Sequence, residues 1–504
     1  MKRPFIITGV ISLIISWISL HCNTSLISLL LLCFAACATL LLTIFRKKTS
    51  DNSNYPVILV TLLLVFILSI VNIEYIYKPV SLLDDTTADV KATVISEPST
   101  QLDDAYYYFK GEHPLLNRPI KFSLPSENLG LEIGDQVNMT VNFSELSDSF
   151  KSHNLSEGIF ISSSIESVNS VAMGGSKTYT ALGRLRLYIK NEIFNDVRGD
   201  NGAVLIALLT GDRDHISHSL YDKTKICGVT HILVVSGLHL SILSGAILTF
   251  ADKIKLGRKI SVFIIFALIA IIIAICNFHT SALRSAIMSI IMLSGSLINR
   301  KPDGLNSLGF AVTVMVLLNP FVAGSAAFLL SVFATLGVIF VAPMVKYLTE
   351  DLRFRCRFSR LLNSAVDIII ISVCAFICVL PITIYYYGYT SLISPIVTML
   401  ISAAVEVALI LTALGVLVSL IPIVSVFSSP LVMISGIISA YISRVIDIFG
   451  STNSFLLVID PSYAQLCFIF SASAVLILWI FYRKKLKERK DEDASLGKGS
   501  QKLT

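Results

Sequence analysis

Polar residues set into apolar sequence are the places where this chain could do chemistry. Gly228-Val229-Thr230-His231-Ile232-Leu233-Val234-Val235-Ser236-Gly237-Leu238-His239-Leu240 carries two imidazoles and a Ser-Gly pair into an apolar run that continues to Phe250. Histidines in or near a membrane-length run are costly and face protein or water, not lipid. His231 and His239 are eight residues apart, roughly one helical face if the segment is a single helix. Two imidazoles alone make a poor zinc site, which takes three or four protein ligands. Ser236-Gly237 suggests a local break or a close helix crossing, since glycine lets backbones approach. Arg284 has two readings, a guanidinium that snorkels to the interface or one that lines a polar path, where its planar fork suits phosphate. Asp212 and Arg213 form a charged turn after the apolar stretch 203–210. Glu406 lies inside another apolar run as a partner or path residue, and Arg444 and Asp447 are spaced i,i+3 as an ion pair. The P-loop pattern Gly-x-x-x-x-Gly-Lys-Ser/Thr is missing, and with it a nucleotide-driven motor of that type. No enzyme signature is found, so catalytic residues, a bound metal and a cofactor are not expected.

These residues need helices to hold them. Of the 504 residues only 15% are charged, against about 25% in a soluble domain, and mean hydropathy is +0.77. The composition predicts a polytopic α-helical membrane protein. Twelve apolar runs approach the roughly 20 residues that cross a bilayer as a helix: Pro4–Leu20, Ser25–Phe45, Tyr55–Ile76, Ile232–Phe250, Ile260–Cys276, Ala282–Ile298, Leu305–Leu318, Ala326–Val345, Ala365–Tyr385, Leu392–Leu420, Pro430–Phe449 and Ala464–Tyr482. The seventh is short and the tenth is long enough to be two pieces or strongly tilted. If each spans once, the basic clusters at Lys2/Arg3, 46–48, 253–259, Arg300/Lys301, 346–360 and 483–490 fall on one side, which the positive-inside rule makes the cytoplasm. Both termini are then cytoplasmic, in a multi-pass protein of the cytoplasmic membrane. No small-residue cleavage site follows the first run, which reads as a retained helix. The nine cysteines read as small core hydrophobes.

The domain plan has N-terminal transmembrane helices over 1–78, an extracytoplasmic β domain over 79–177, a transmembrane domain over 178–482, and a basic then disordered cytoplasmic tail over 483–504. The insertion alternates, as in residues 88–95 and 133–141, and about five short strands would suit a small OB-like barrel or another small β-sandwich. It has 14 Asp/Glu against 6 Lys/Arg, which argues against a nucleic-acid grip. The run Tyr106-Tyr107-Tyr108-Phe109 reads as a strand more readily than as a stacking platform. Residues 182–190 mix apolar and basic side chains at helical spacing and suit a helix on the membrane surface. Pro381 should kink its helix, and Tyr385–Tyr389 suits an interfacial belt.

Several stretches together resemble the ComEC-type DNA-uptake channel family of natural competence. They are Gly211-Asp212-Arg213, then His231 through His239, Ser281 through Met288 around Arg284, Arg300-Lys301-Pro302-Asp303-Gly304-Leu305-Asn306, Phe328-Leu329-Leu330-Ser331, and Leu380-Pro381 through Ser394-Pro395. Their order matches over roughly residues 201–418, and an outer OB-like domain between N-terminal helices and this core fits the family plan. The resemblance implies a channel subunit for single-stranded DNA. His231, Ser236, Gly237, His239 and Arg284 would line or shape the path, with Asp212 and Arg213 at its outer mouth. It also implies a pilus-type DNA receptor and a separate cytoplasmic ATPase or helicase as partners, the lipid bilayer as surroundings, and room for a homo-oligomer. Many members carry a C-terminal metallo-β-lactamase-like domain, which this sequence lacks. Leu329, Asn319 and Thr398 depart from the family's polar pattern. Two other readings stay open: a small-solute or lipid-linked transporter on the same core, and a degenerate, non-transporting member.

Overall fold

The computed structural model describes residues 4–21, 67–68, 71–95, 106–112, 119–125, 130–146, 151–233, 237–276, 280–297, 303–350, 359–452 and 455–500. The chain divides into two compact units. One comprises residues 1–221, 230–328 and 404–444, the other 222–229, 329–403 and 445–504.

In the first unit, helix α1 (Pro4–His21) precedes a π-helical segment, Asn72–Tyr77, and a short helix α2 (Lys78–Ser81). A barrel follows, built from β1 (Thr87–Val94), β2 (Tyr106–Glu112), β3 (Pro119–Pro125), β4 (Gln136–Ser144), helix α3 (Lys151–Ser156) and β5 (Ile161–Ala172). It closes in the order β1-β2-β3-β5-β4. Every pairing is antiparallel except β3 with β5, which is parallel over Phe122↔Ile161 and Ser123↔Ser162. Alternation decides what fills it: Val90, Ala92 and Val94, then Tyr107 and Phe109, then Ile120, Phe122 and Leu124 all point inward. Phe109 stacks on Phe122 with ring centres 5.6 Å apart. The aromatic run is therefore a strand. Tyr107 and Phe109 belong to its core, and Tyr108 turns out to meet Asn154 of α3.

The remaining helices of this unit are α4 (Lys177–Asp196), α5 (Gly199–Thr210) and the start of α6 (His218–Cys227), then a 3-10 turn at Thr230–Leu233. Next come α7 (Gly237–Lys253), α8 (Arg258–Ile275), α9 (Thr280–Leu297), α10 (Gly304–Leu318) and a second 3-10 turn, Pro320–Gly324. Asp303 caps α10 by accepting from Asn306 N–H at 3.2 Å, which gives the Pro-Asp loop a local structural reason. α1 and α10 cross at two glycines. A Cβ on Gly309 would lie 2.1 Å from the Phe5 carbonyl oxygen, and one on Gly9 would lie 2.6 Å from that of Gly309. Phe5 N–H donates to Asn306 Oδ1 and its ring meets Phe310 edge-on.

In the second unit α11 (Ala326–Leu336) passes through a π segment, Gly337–Val341, into α12 (Ala342–Leu348). Pro343 has no N–H to give an α-helical bond there, which favours the wider turn. Helix α13 (Ser359–Tyr387) runs continuously with Pro381 inside it. After β6 (Tyr389–Ser391) come α14 (Ser394–Ser419) and α15 (Ser428–Gly450), most of whose residues belong to the first unit, and then, in the second, β7 (Leu456–Val458) and α16 (Ala464–Ser500). β6 pairs with β7, Tyr389↔Val458 to Ser391↔Leu456. The basic ends also meet: Lys485 Nζ donates to Leu348 O at 3.1 Å, and Tyr347 packs on Tyr482.

Five helical stretches among the described residues are long and apolar enough to cross a membrane: Ala326–Leu348, Leu362–Tyr387, Ser394–Ser419, Ser425–Gly450 and Pro461–Glu488. They correspond to the last five expected runs. The described helices at the first, fifth, sixth and seventh runs contain shorter apolar stretches. The second run and most of the third lie outside the described residues. The tenth run is one helix, not two pieces. The tail expected to be disordered from Asp491 continues α16 to Ser500. Its charges alternate at helical spacing, as in the Lys484–Glu488 pair, which supports continuation. Asp447 pairs with Lys223 at 2.9 Å in place of the expected Arg444.

Candidate functional site

The Gly-Asp-Arg turn is built by the end of α5. That helix is packed from all sides, with Val204, Leu205, Ile206 and Ala207 fully buried. It stops at Gly211, whose φ of 80° is left-handed and whose N–H returns to Ala207 O. Glycine adopts that conformation without Cβ strain. Asp212 then turns inward. Its Oδ2 meets Lys190 Nζ at 2.6 Å, and its Oδ1 accepts from Asp214 N–H at 2.9 Å. Burial alone would raise the Asp212 carboxyl. The Lys190 charge and hydrogen bond, the Asp214 N–H and the nearby His215 outweigh it and hold the pKa below the ordinary 3.8. Arg213 lies over the Tyr221 ring, 5.7 Å from its centre. Asp200, in the first turn of α5, accepts from both the N–H and the hydroxyl of Ser217. Asp212 and Arg213 thus clamp the turn to its neighbours.

Helix α4 supplies the cation of this clamp. Gly183, Ile189, Lys190 and Ile193 are buried. Arg186, one turn before Lys190, donates to Ile275 O at the end of α8, where a cation meets the negative end of the helix dipole. The signal was present as two basic residues spaced i,i+4 beside Ile189 and Ile193. A periodicity argument cannot say whether such a face meets headgroups or a buried carboxylate.

The His-Ser-Gly-His segment is described in two pieces, up to Leu233 and from Gly237. His231 lies in the 3-10 turn Thr230–Leu233 with an exposed side chain, while Leu233 is buried. Helix α7 is described from Gly237 and contains His239. His231 is thus in 3-10 and His239 in α-helical conformation. Residues 234–236 between them, Ser236 included, lie outside the described residues, and with them the expected break.

Arg284 is 4% exposed, which overturns the snorkelling reading. Its guanidinium reaches Met288 Sδ at 3.4 Å and Ser285 Oγ at 3.3 Å. Leu240 of α7 joins one core cluster with Ile265, Ile269 and Ile272 of α8 and with Ala282 and Ala286 of α9. Ala282 and Ala286 flank Arg284 in sequence, so the start of α7 and the arginine turn of α9 are packed into one three-helix group. His231, Asp212 and Arg213 belong to the same unit as Arg284. No group of three or more His, Cys, Asp or Glu suited to a metal occurs among the described residues.

Sequence reasoning also missed an anchor between barrel and helices. Asn319 donates through its side-chain amide to Leu155 O and Ser156 O of α3, both at 2.9 Å, and accepts from Phe321 N–H at 3.0 Å. Around it, Phe321 packs against Tyr77 and Phe160 with ring centres 5.3 and 5.5 Å away.

No solved structure matches this chain. ComE operon protein 3 of Bacillus subtilis (strain 168) is 23% identical over 290 residues, which cover 57% of this chain and 35% of that protein. The chain thus spans about a third of the length of that curated relative. The model of the family described as Competence protein matches residues 208–484. That stretch is more than half of the chain and contains the Asp212 turn, the segment from His231 to His239 and the Arg284 helix. With its long apolar helices, this multi-pass membrane protein belongs to the Competence protein family.

Proposed function

We propose that the protein is a channel subunit that passes single-stranded DNA across the cytoplasmic membrane during natural transformation. Membership of the competence family over residues 208–484 carries this reading. The packing of α7, α8 and α9 into one group supports it, because it brings the histidine-bearing helix start beside the Arg284 turn. In this reading the chain crosses the membrane twelve times with both termini in the cytoplasm, and the barrel is an OB-like domain outside. A conduit of this kind performs no catalytic step itself. A pilus-type receptor delivers the DNA and a separate ATPase or helicase supplies the energy. Arg284 and the 231–239 segment shape the path, and the Asp212–Lys190 clamp holds the turn at its mouth.

The test is uptake of labelled DNA in a strain shown to be competent. Deleting the gene should abolish transformation. Restoring it with Arg284→Lys, which keeps charge but loses the planar fork, should leave uptake at least about tenfold below wild type at equal expression, a change of about 1.4 kcal/mol. Unchanged transformation in the deletion strain would sink the proposal.

A further inference from the structure

The outward face of β2 and β3 carries two lysines at one cross-strand position. Lys110 and Lys121 are directly opposite in the antiparallel register and both are exposed. Like charges so placed repel. The insertion that contains them is otherwise acidic, with 14 Asp/Glu against 6 Lys/Arg over residues 79–177, yet these two share one cross-strand row. Among the described residues Lys110 makes no hydrogen bond or ion pair. Lys121 Nζ donates to the Glu157 carbonyl oxygen at 3.1 Å, just past the end of α3. Burial of its ammonium lowers the Lys121 pKa, Glu157 raises it and Lys110 lowers it again, with a net fall. Against these two ammonium groups stands the Glu157 carboxylate beside Lys121, so the pair can take one more negative charge.

Position says where that charge would come from. The parallel register Phe122↔Ile161 sets Lys121 next to Phe160 on the neighbouring strand. The Phe160 ring packs on Phe321, in the turn that follows the apolar helix α10, and on Tyr77, at the end of the π-helical segment. The lysine row thus lies one strand position from the point where the barrel meets the ends of apolar helices. Aromatic rings and lysine ammonium groups at that level mark the headgroup layer. We propose that Lys110 and Lys121 bind the phosphate of an anionic phospholipid headgroup and so dock the β2–β3 face of the barrel on the membrane surface. This rests on the membrane-spanning character of the chain and not on DNA transport, so a failed uptake assay leaves it standing.

The full chain, purified in detergent, is titrated with phosphatidylglycerol or phosphatidylcholine and bound lipid is counted by native mass spectrometry. Wild type should hold phosphatidylglycerol more tightly than phosphatidylcholine. Lys110→Gln with Lys121→Gln should weaken phosphatidylglycerol roughly fivefold per charge removed. Lys110→Arg with Lys121→Arg should retain it, which guards against a folding artefact, and so should Lys91→Gln, a charge loss on β1. Equal retention by the double Gln variant and wild type overturns the proposal. So does a wild type that does not distinguish the two lipids. A third overturning result is a double Gln variant that loses binding of a single-stranded oligonucleotide while its phosphatidylglycerol affinity is unchanged, because the face would then serve nucleic acid.

Discussion

Replacing Asp212 by Asn removes one charge while keeping the side-chain shape and the oxygen that accepts from Asp214 N–H. What remains is the Lys190 ammonium, in a side chain only 9% exposed, opposite a neutral amide in place of a carboxylate at 2.6 Å. Exposed ion pairs contribute about 0–1 kcal/mol, whereas breaking a buried pair from one side costs about 3–5 kcal/mol. The Asp212 side chain is 18% exposed, so water offsets part of the loss and about 2–4 kcal/mol is expected. Lys190→Met removes the stranded charge. The double variant should therefore recover stability relative to Asp212→Asn, with a coupling of about 1–2 kcal/mol in the cycle. Thermal unfolding of the detergent-solubilised protein, followed by tryptophan fluorescence, reads all four forms. Acid gives a second readout. Because the folded pKa of Asp212 is depressed, its stabilisation is fully present above the ordinary value of 3.8 and is lost as pH falls through the lower folded value. Wild type should lose this increment in strongly acidic buffer and Asp212→Asn should not. If Asp212→Asn melts within a degree of wild type and the cycle shows no coupling, the clamp does not hold the turn and the reasoning fails.

Asn319→Asp keeps the acceptor for Phe321 N–H but replaces two donated bonds with a charge facing two carbonyl oxygens. It should cost about 2–3 kcal/mol and speed hydrogen exchange across residues 151–160, and unchanged exchange there would show that the barrel is held otherwise. Gly309→Ala forces a Cβ to within 2.1 Å of the Phe5 carbonyl, so α1 and α10 must separate, at about 1–3 kcal/mol. Gly245→Ala, where nothing lies within 4 Å, should be neutral by the same melting assay, and equal effects at the two glycines would reject the close-crossing account.

Much of the architecture was legible because the determining forces are local or one-dimensional. Alternation along β1 and β4 reports a barrel interior whatever the barrel's order, since neighbouring side chains must face opposite ways. Runs of apolar residues report long helices in the same way, and the last five were readable within a few residues. Gly211 was visible as a residue type that ends helices. The site was less legible because its partners are distant in sequence. Lys190 and Asp212 are separated by a helix and a turn, and Asn319 meets a carbonyl 164 positions away. A charged side chain reads the same in sequence whether it meets water, lipid phosphate or a buried carboxylate.

The division is sharpest at Arg284 and in the segment from His231 to His239. Sequence alone determined that polar groups stand in apolar surroundings there, that the chain is a multi-pass membrane protein, and which family its motifs resemble. Only the tertiary structure decided that His231 lies in a 3-10 turn and that Arg284 is buried beside Met288 instead of reaching outward. It also decided that Asp212 faces Lys190. The physical reason is that burial and charge pairing are properties of the space around a residue, and that space is created by packing distant segments together. Helical and strand periodicity specify which face of an element is apolar, but not which neighbour covers it.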